Sequence, residues 1–369
     1  MSTPARPVLL ALVLLALPFA FVARAAPGAD PGAAQAAGVA RWVDAEATAG
    51  GTATGSDLFD LEWAFGTWQM AALGFAQRAE SVPAARADAL LQLDASLELV
   101  TAAPGRAFDA DQWGTDPLDA LDGDRGHIAW LGYTNLTLSA RRALGPHPRW
   151  DVLNDTLSAA IVRRLEHELM PETYPGERYP VDVSAAVASV GEWARVTGRP
   201  EPAVLARWRA AVRERWVVGG VLVQSLDAEL RASDRPRGSG TFLASWFLSR
   251  WDPAFAAELY RGGRDRLLVE MGPLAAMREY PAGTPGGGDI DSGPIVGGMG
   301  VSATGFAIGA GLAAGDTTTA ARLRATAELV GQARTEAGEL HWAAGSALGS
   351  APLADAILFA MFTTPARAP

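Results

Sequence analysis

Two carboxylates in a glycine-rich stretch are the strongest chemical signal in this sequence. Asp289 and Asp291 lie within Gly286–Gly300, directly before an apolar segment that predicts a helix. Residues two apart on an extended segment face the same side, and two like charges held close together can raise one of their pKa values. The pattern predicts a general acid/base site, and Glu279 on the same loop is a candidate for its second carboxyl group. The alternatives are a turn in which the aspartates accept backbone amides, a calcium loop, and a surface position for Glu279.

A second candidate region is the Pro- and Tyr-rich segment 172–182. Tyr174 and Tyr179 each precede a proline, which favours an extended loop carrying aromatic rings, and Asp182 follows at the start of a predicted helix. Asp182 is therefore either a site carboxylate or the N-cap of that helix. The two tyrosines either stack on a sugar or another ring, or pack the loop onto the core.

Aromatic and histidine side chains at helical spacing form the third candidate region. His127, Trp130 and Tyr133 share one face of a helix, and Trp246 is a further candidate for the wall of a cleft. This face suits the lining of a wet cavity, and the other interpretation is a half-buried core helix. The predicted substrate-binding residues are thus His127, Trp130, Tyr133, Tyr174, Tyr179 and Trp246, and the predicted catalytic residues are Asp182, Glu279, Asp289 and Asp291.

Composition excludes several classes of protein. The chain has 369 residues, 49 % of them hydrophobic, and a formal net charge of −10 without a basic stripe, so nucleic acid is not an expected partner. It has no cysteine, which excludes disulfides, thiolate metal sites and a cysteine nucleophile. Its four histidines lack metal-ligand spacing, so we expect neither a metal nor a cofactor.

The N-terminus resembles an export segment. Arg6 precedes an apolar run of about 16 residues, and Ala23-Arg24-Ala25 fits a cleavage site, so residues 1–25 are interpreted as a signal peptide or an uncleaved anchor. Residues 26–56 are predicted to be a flexible tether. The body of the protein is therefore expected outside the cytoplasm, in contact with a membrane only through this segment if it stays uncleaved.

Periodicity over residues 57–369 predicts a single all-α domain. Apolar residues recur at spacings of three and four, and the helices alternate between short turns and long loops at 101–126, 170–181, 218–240 and 272–300. An (α/α) toroid of five to six helical hairpins, with minor short β-hairpins in its loops, would gather these loops at one end. An open solenoid is the alternative, but no fixed-period repeat supports it.

Several motifs carry a resemblance to a known superfamily. The segments Tyr179-Pro-Val-Asp182, Gly288-Asp-Ile-Asp-Ser-Gly-Pro294, Ser302-Ala-Thr304 and Pro352-Leu-Ala-Asp355 resemble the six-hairpin glycosidase-like superfamily. The resemblance implies an (α/α) barrel and a glycoside hydrolase or polysaccharide lyase with a glycan substrate. The helical plan also resembles linalool dehydratase/isomerase-like proteins, whose cysteines are missing here.

Three functions follow as expectations. The first is an exported carbohydrate-active enzyme in which Asp289 or Asp291 works opposite Asp182 or Glu279 across a glycosidic bond. The second is a non-catalytic, membrane-tethered helical domain that binds a glycan or a partner protein. The third is a cofactor-free isomerase or dehydratase that uses the same acids.

Overall fold

The computed structural model describes residue 30 and residues 32–290, 292–347 and 349–368. The predicted export segment, residues 1–25, and the candidate catalytic residue Asp291 lie outside the described residues. Residues Ala34–Pro369 form one compact unit.

Helices account for most of the described chain, which confirms the all-α prediction. Their bounds are α1 Ala33–Ala40, α2 Ala45–Gly51, α3 Asp57–Ser81, α4 Arg86–Thr101, α5 Ala103–Trp113, α6 Ile128–Ala143, α7 Pro148–His167, α8 Pro180–Thr197, α9 Ala203–Ala211, α10 Gly238–Leu248, α11 Pro253–Leu267, α12 Val301–Ala313, α13 Thr317–Gly331, α14 Ala343–Ala347 and α15 Ala351–Phe362. A 3₁₀ turn over Pro83–Ala85 precedes α4, and a π turn over Val212–Trp216 continues α9.

In the described part of the chain, the strands form four small antiparallel hairpins in the connections between helices. They are β1 Val217–Val218 with β2 Val221–Leu222, β3 Leu268–Met271 with β4 Leu274–Met277, β5 Ile295–Val296 with β6 Met299–Gly300, and β7 Ala333–Glu336 with β8 Glu339–Trp342. The β7–β8 hairpin lies outside the four long loops that the sequence predicts. In the longest pairs Leu268 is opposite Met277 and Ala333 is opposite Trp342.

Six helices contact one another in sequence: α3 with α6, α6 with α8, α8 with α10, α10 with α12, α12 with α15, and α15 again with α3. The other long helices pack against these six: α4 on α3, α7 on α6 and α8, α11 on α10 and α12, and α13 on α12. We call the six helices α3, α6, α8, α10, α12 and α15 the inner helices. A helix that is apolar on every side is stable only when other elements cover it, and α6, α8, α10 and α12 are buried over most of their length.

Small and polar side chains bring α6 and α8 close together. A Cβ added to Gly132 of α6 would lie 2.9 Å from the Cβ of Ala186 on α8, so the two backbones could not approach as closely with a side chain there. Asn135 on α6 donates hydrogen bonds to Ser158 at 3.0 Å and to Ser189 at 2.9 Å, joining α6 to α7 and α8. These buried bonds fix the positions of the helices that carry Tyr133 and Asp182.

Two of the predicted segment assignments are wrong. The stretch 26–56, predicted to be a flexible tether, contains α1 and α2, and α2 contacts α3 and α15. The loop predicted at 101–126 contains α5, because Pro104 can occupy the first helical turn and Gly114 ends the helix in the left-handed region at φ 67°. Among the described residues, no helix combines the length and the apolar character needed to cross a bilayer.

Candidate functional site

Glu279 follows β4 and lies against the first turn of α10. Its Oε1 accepts a hydrogen bond of 2.6 Å from the hydroxyl of Ser239 and a longer one of 3.4 Å from the backbone amide of the same residue. The other oxygen, Oε2, is buried without a hydrogen-bond partner. The side chain is fully buried, so the expectation of a surface glutamate is wrong. A buried carboxyl oxygen without a hydrogen-bond donor costs free energy of folding, and a catalytic role is one explanation for such a group.

Burial raises the pKa of Glu279 to about 7, against opposing effects from the Ser239 hydrogen bonds and the charge of Arg237. The negative charge of Asp289 raises it further. The carboxyl group of Glu279 therefore keeps its proton to a higher pH than an ordinary glutamate, which is the condition that a general acid needs.

Asp289 has the opposite environment. Its Oδ2 pairs with the guanidinium of Arg237, and its Oδ1 accepts the amide of Ser292 at 2.9 Å. Burial acts to raise its pKa, but the hydrogen bonds from Arg237 and Ser292 outweigh that effect and hold the pKa below its usual value. The amide bond is the turn contact that the sequence allowed as an alternative, while the ion pair adds a partner that the sequence did not indicate.

Asp289 and Arg237 line an open pocket of about 640 Å³ on the protein surface. Tyr280, Asp234 and the exposed backbone of Gly286–Gly288 line the same pocket. Arg237 lies over the ring of Tyr280 at 5.6 Å and also pairs with Asp234 at 2.6 Å. The pocket thus presents charged groups, one aromatic ring and bare peptide groups, all of which suit a ligand rich in hydroxyls. We call Arg237, Ser239, Glu279 and Asp289 the Glu279 cluster.

Asp182 belongs to a second group, which joins α6 and α8. Its Oδ1 accepts the hydroxyl of Tyr133 at 2.6 Å and its Oδ2 accepts the hydroxyl of Thr173 at 2.9 Å. The N-cap interpretation is wrong, because Tyr179 occupies the N-cap position of α8 and Asp182 lies inside the first turn with its side chain directed to Tyr133 and Thr173.

Tyr174 and Glu62 complete this group, which we call the tyrosine cluster: Glu62, Tyr133, Thr173, Tyr174 and Asp182. The hydroxyl of Tyr174 donates to Glu62 at 2.9 Å. Burial and the neighbouring carboxylates of Glu62 and Asp182 raise the pKa of Tyr174 well above its usual value, so its phenol stays protonated. Its ring meets that of Phe108 edge-on at 6.5 Å, and Tyr133 meets Phe247 at 5.4 Å.

His127 lies at the N-terminus of α6, where its buried ring bonds Asp109. Neither cluster includes Trp130, Trp246 or Tyr179. Trp130 is completely buried and donates to the carbonyl of Val100 at 3.1 Å, so its predicted place in a wet cavity is wrong. Trp246 is buried near the C-terminal end of α10, where it donates to Thr364 at 2.9 Å. The half-buried Tyr179 donates to Glu177.

Several residues of these clusters were not predicted from the sequence. Arg237, Ser239, Glu62 and Thr173 each supply a hydrogen bond or a charge to a predicted residue. Thr173 lies in the candidate segment 172–182, and Arg237-Gly-Ser-Gly240 carries a local signal of its own, since a polar and glycine-rich turn before an apolar helix is a common ligand contact. In the described part of the chain, no group of three or more His, Asp or Glu side chains is arranged to hold a metal ion.

No protein-family model matches the chain, and no curated protein matches it at a significant level.

Proposed function

We propose that this protein is an exported carbohydrate-active enzyme of the glycoside hydrolase type, built on an (α/α) toroid. Support for the toroid comes from the contacts of the inner helices, which run from α3 round to α15 and return to α3. The residues of both clusters on α6, α8 and α10 lie in the first turn or two of their helices. In a ring of hairpins the inner helices run in the same direction, so both clusters would lie at one end.

The observation that carries the proposal is the separation of two carboxyl pKa values in one neighbourhood. Glu279 has its pKa raised to about 7, mainly by burial, while Asp289 has its pKa lowered by Arg237 and Ser292. Two acids whose environments push their pKa values apart provide an acid and an ionised base or stabilising charge at the same pH. A glycosidic bond is cleaved by such a pair.

In this mechanism the protonated Glu279 gives its proton to the glycosidic oxygen as the bond from that oxygen to the sugar carbon breaks. The ionised Asp289 places negative charge in the pocket, where it stabilises the positive charge that develops on the sugar ring. Water then adds to the sugar carbon and releases one proton, which restores the enzyme. Because Oε2 of Glu279 is covered, the glycine-rich segment before α12 has to shift to admit the glycosidic oxygen.

The test uses a panel of plant, bacterial and fungal polysaccharides and measures reducing ends released by the wild type, Glu279→Gln and Asp289→Asn. We expect each variant to lose about 10²- to 10⁴-fold in kcat, the usual contribution of a positioned acid or charge. Asp116→Asn is the matched control. Asp116 also forms an ion pair with an arginine, Arg106, and also has a lowered pKa, but it belongs to neither cluster.

Melting temperatures of all variants separate lost chemistry from lost folding. Turnover by Glu279→Gln within threefold of the wild type would remove Glu279 from the mechanism. A wild type that binds an oligosaccharide in calorimetry without cleaving any member of the panel would instead identify a glycan-binding domain.

A further inference from the structure

The open pocket is joined to Glu279 through the start of α10. Arg237 is the N-cap residue of α10 and lines the pocket, and Ser239, two residues further on, donates its hydroxyl to Glu279. The charges of Arg237 and Asp289, which both line the pocket, act on the carboxyl group of Glu279. A ligand in this pocket would therefore lie next to the residue that the proposed function treats as the acid.

Arg237 holds two carboxylates at the wall of the pocket. Its Nη2 donates to Oδ2 of Asp234 at 2.6 Å, and its Nη1 donates to Oδ2 of Asp289. The side chain of Arg237 is only 10 % exposed, whereas those of Asp234 and Asp289 are 37 % and 40 % exposed. We call these three residues the pocket triad. Its carboxylates, and not its guanidinium, are the groups most open to a ligand.

The bonding of Arg237 indicates that the triad is not arranged for stability alone. Its Nε is buried and has no hydrogen-bond partner among the described residues. A buried donor left unbonded costs free energy of folding, and such a group in a native structure calls for an explanation. Holding two carboxylates at a fixed separation beside an open pocket is one.

Backbone amides fix the other two oxygens of the triad. Oδ1 of Asp234 accepts the amide of Arg235 at 2.6 Å, and Oδ1 of Asp289 accepts the amide of Ser292 at 2.9 Å. Each carboxylate is thus held at both oxygens before a ligand arrives, which lowers the cost of binding. Each oxygen has two lone pairs, so each carboxylate can accept further hydrogen bonds without losing those that it already has.

Tyr280 offers little surface for stacking on a sugar. The residue is 8 % exposed, Arg237 lies over its ring at 5.6 Å, and a Cβ added to Gly286 would collide with the ring. Its hydroxyl donates to the carbonyl of Gly287 at 3.1 Å. Recognition in this pocket therefore depends on hydrogen bonds and charge.

Exposed carboxylates select a ligand that brings hydrogen-bond donors. The hydroxyl groups of a neutral sugar supply them without adding charge. A uronic acid would place a further negative charge beside Asp234, Asp289 and Glu279, and like charges brought together weaken binding. An amino sugar gains little by its charge, because Arg235 and Arg237 line the pocket together with the two aspartates.

We propose that Asp234 and Asp289, held by Arg237, bind hydroxyl groups of a neutral sugar, and that Asp234 makes the pocket select against uronic acids. The inference rests on the proposed function, which it deepens by naming the class of sugar next to Glu279. No bond is made or broken in this step. Each carboxylate accepts a hydroxyl proton as a hydrogen bond and keeps its ion pair with Arg237.

The experiment measures binding by calorimetry. The probes are (1→4)-linked hexasaccharides of glucose, mannose and galactose, the same chains oxidised at C6 to uronic acids, and the glucosamine hexasaccharide. The wild type is used, with Glu279→Gln in its place for any chain that the wild type cleaves. We expect at least one neutral hexasaccharide to bind, and its oxidised form to bind at least about tenfold more weakly.

Asp234→Asn keeps the size of the side chain and removes its charge. We expect the Kd for the neutral chain to rise about tenfold and the preference over the oxidised chain to fall toward one. Asp234→Glu should keep that preference. The matched control is Asp227→Asn. Asp227 also pairs with an arginine, Arg231 at 3.0 Å, also accepts its backbone amide and is 32 % exposed, but it does not line the pocket. The control should keep both Kd values within threefold.

Three results would overturn the inference. They are an oxidised or glucosamine chain that binds as tightly as its neutral counterpart, a failure of every neutral chain to bind, and an unchanged preference in Asp234→Asn. The last would mean that Asp234 only supports Arg237. If the wild type cleaves a neutral glycan and Asp234→Asn keeps its preference, only the inference fails. If the wild type cleaves nothing but shows the expected preferences, the proposed function fails and the pocket remains a binding site for neutral sugars.

Discussion

Glu279 and Asp182 are both buried carboxyl groups beside the first turn of an inner helix, but their partners differ. Asp182 has a hydroxyl donor on each oxygen, from Tyr133 and Thr173. Glu279 has donors on one oxygen only, and its nearest cation, Arg237, pairs with Asp289 instead. Asp182 in the tyrosine cluster therefore has a donor on both oxygens, whereas Glu279 lacks one on Oε2 and lies in a cluster beside an open pocket.

This difference indicates which carboxyl group can change its protonation state during a reaction. A fully bonded carboxylate resists change because its neutral form would lose an acceptor site. A carboxyl group that is buried with one free oxygen prefers to hold a proton, since its charged form lacks donors. The comparison assigns structural rigidity to the tyrosine cluster and titration near neutral pH to the Glu279 cluster.

The largest expected effect is on stability as a function of pH. Glu279 has a folded-state pKa of about 7 against 4.5 in the unfolded chain. Between these values the folded state holds a proton that the unfolded state has lost, so the free energy of unfolding falls as the pH rises. The expected loss is about 3 kcal/mol, because one pKa unit corresponds to about 1.4 kcal/mol. Urea unfolding from pH 4.5 to 8 measures it.

Glu279→Gln should remove this pH dependence, because glutamine does not titrate. Asp116→Asn should retain it, because the lowered pKa of Asp116 affects stability only in more acidic solution. A wild-type curve parallel to that of Glu279→Gln over this range would show that Glu279 is ionised at pH 5, and the contrast between the two clusters would be lost.

The next effect concerns the space beside Glu279. A Cβ added to Gly300 would lie 2.5 Å from Oε2 of Glu279, which is too close for both atoms to stay in place. We expect Gly300→Ala to cost about 2 kcal/mol of stability through overpacking. Gly287→Ala, in the same loop, is the control, since a Cβ there meets nothing within 4 Å. Equal stability of Gly300→Ala and Gly287→Ala would mean that the space around Oε2 of Glu279 is loosely packed.

The smallest effect is expected in the tyrosine cluster. Tyr133→Phe keeps the ring contacts with Phe65 and Phe247 but removes the hydrogen bond to Asp182. A hydrogen bond to a buried carboxylate contributes about 1.5 kcal/mol or more, and thermal unfolding should show that loss. Tyr179→Phe removes a bond of similar length to the exposed Glu177 and should change stability by less than about 0.5 kcal/mol. If Tyr133→Phe lost no more stability than Tyr179→Phe, the tyrosine cluster would not be rigid.

Much of the helical architecture could be predicted from local signals. Asp252 and Asp316 are capping residue types directly before helical segments, and they cap α11 and α13 by accepting the amides of Phe255 at 3.0 Å and Thr319 at 3.1 Å. Asp151 is an equally suitable capping residue by type, but α7 begins at Pro148 with His147 as its cap. A proline in the first turn fits a helix start as well as an aspartate does, so spacing alone could not choose between them.

The candidate site was only partly accessible from the sequence. Asp182, Tyr133 and Tyr174 were predicted as site residues, and the structure brings all three together. The burial of Glu279 could not be predicted from the sequence. Glu279 packs against α10, which is distant along the chain, and against Gly300, which is separated from it by a turn. The contact between His127 and Asp109 depends on α5, and the sequence was interpreted as a loop there. Contacts between separate helices leave no periodic trace in either segment.

Arg164 has a consequence for how the protein assembles. Residues 114–127 contain no regular helix or strand, and three of their carbonyls accept hydrogen bonds from the guanidinium of Arg164, which lies 38, 41 and 44 residues further along the chain. These three bonds can form only once α7 has docked beside the segment, so the shape of the segment depends partly on a helix that follows it in the chain.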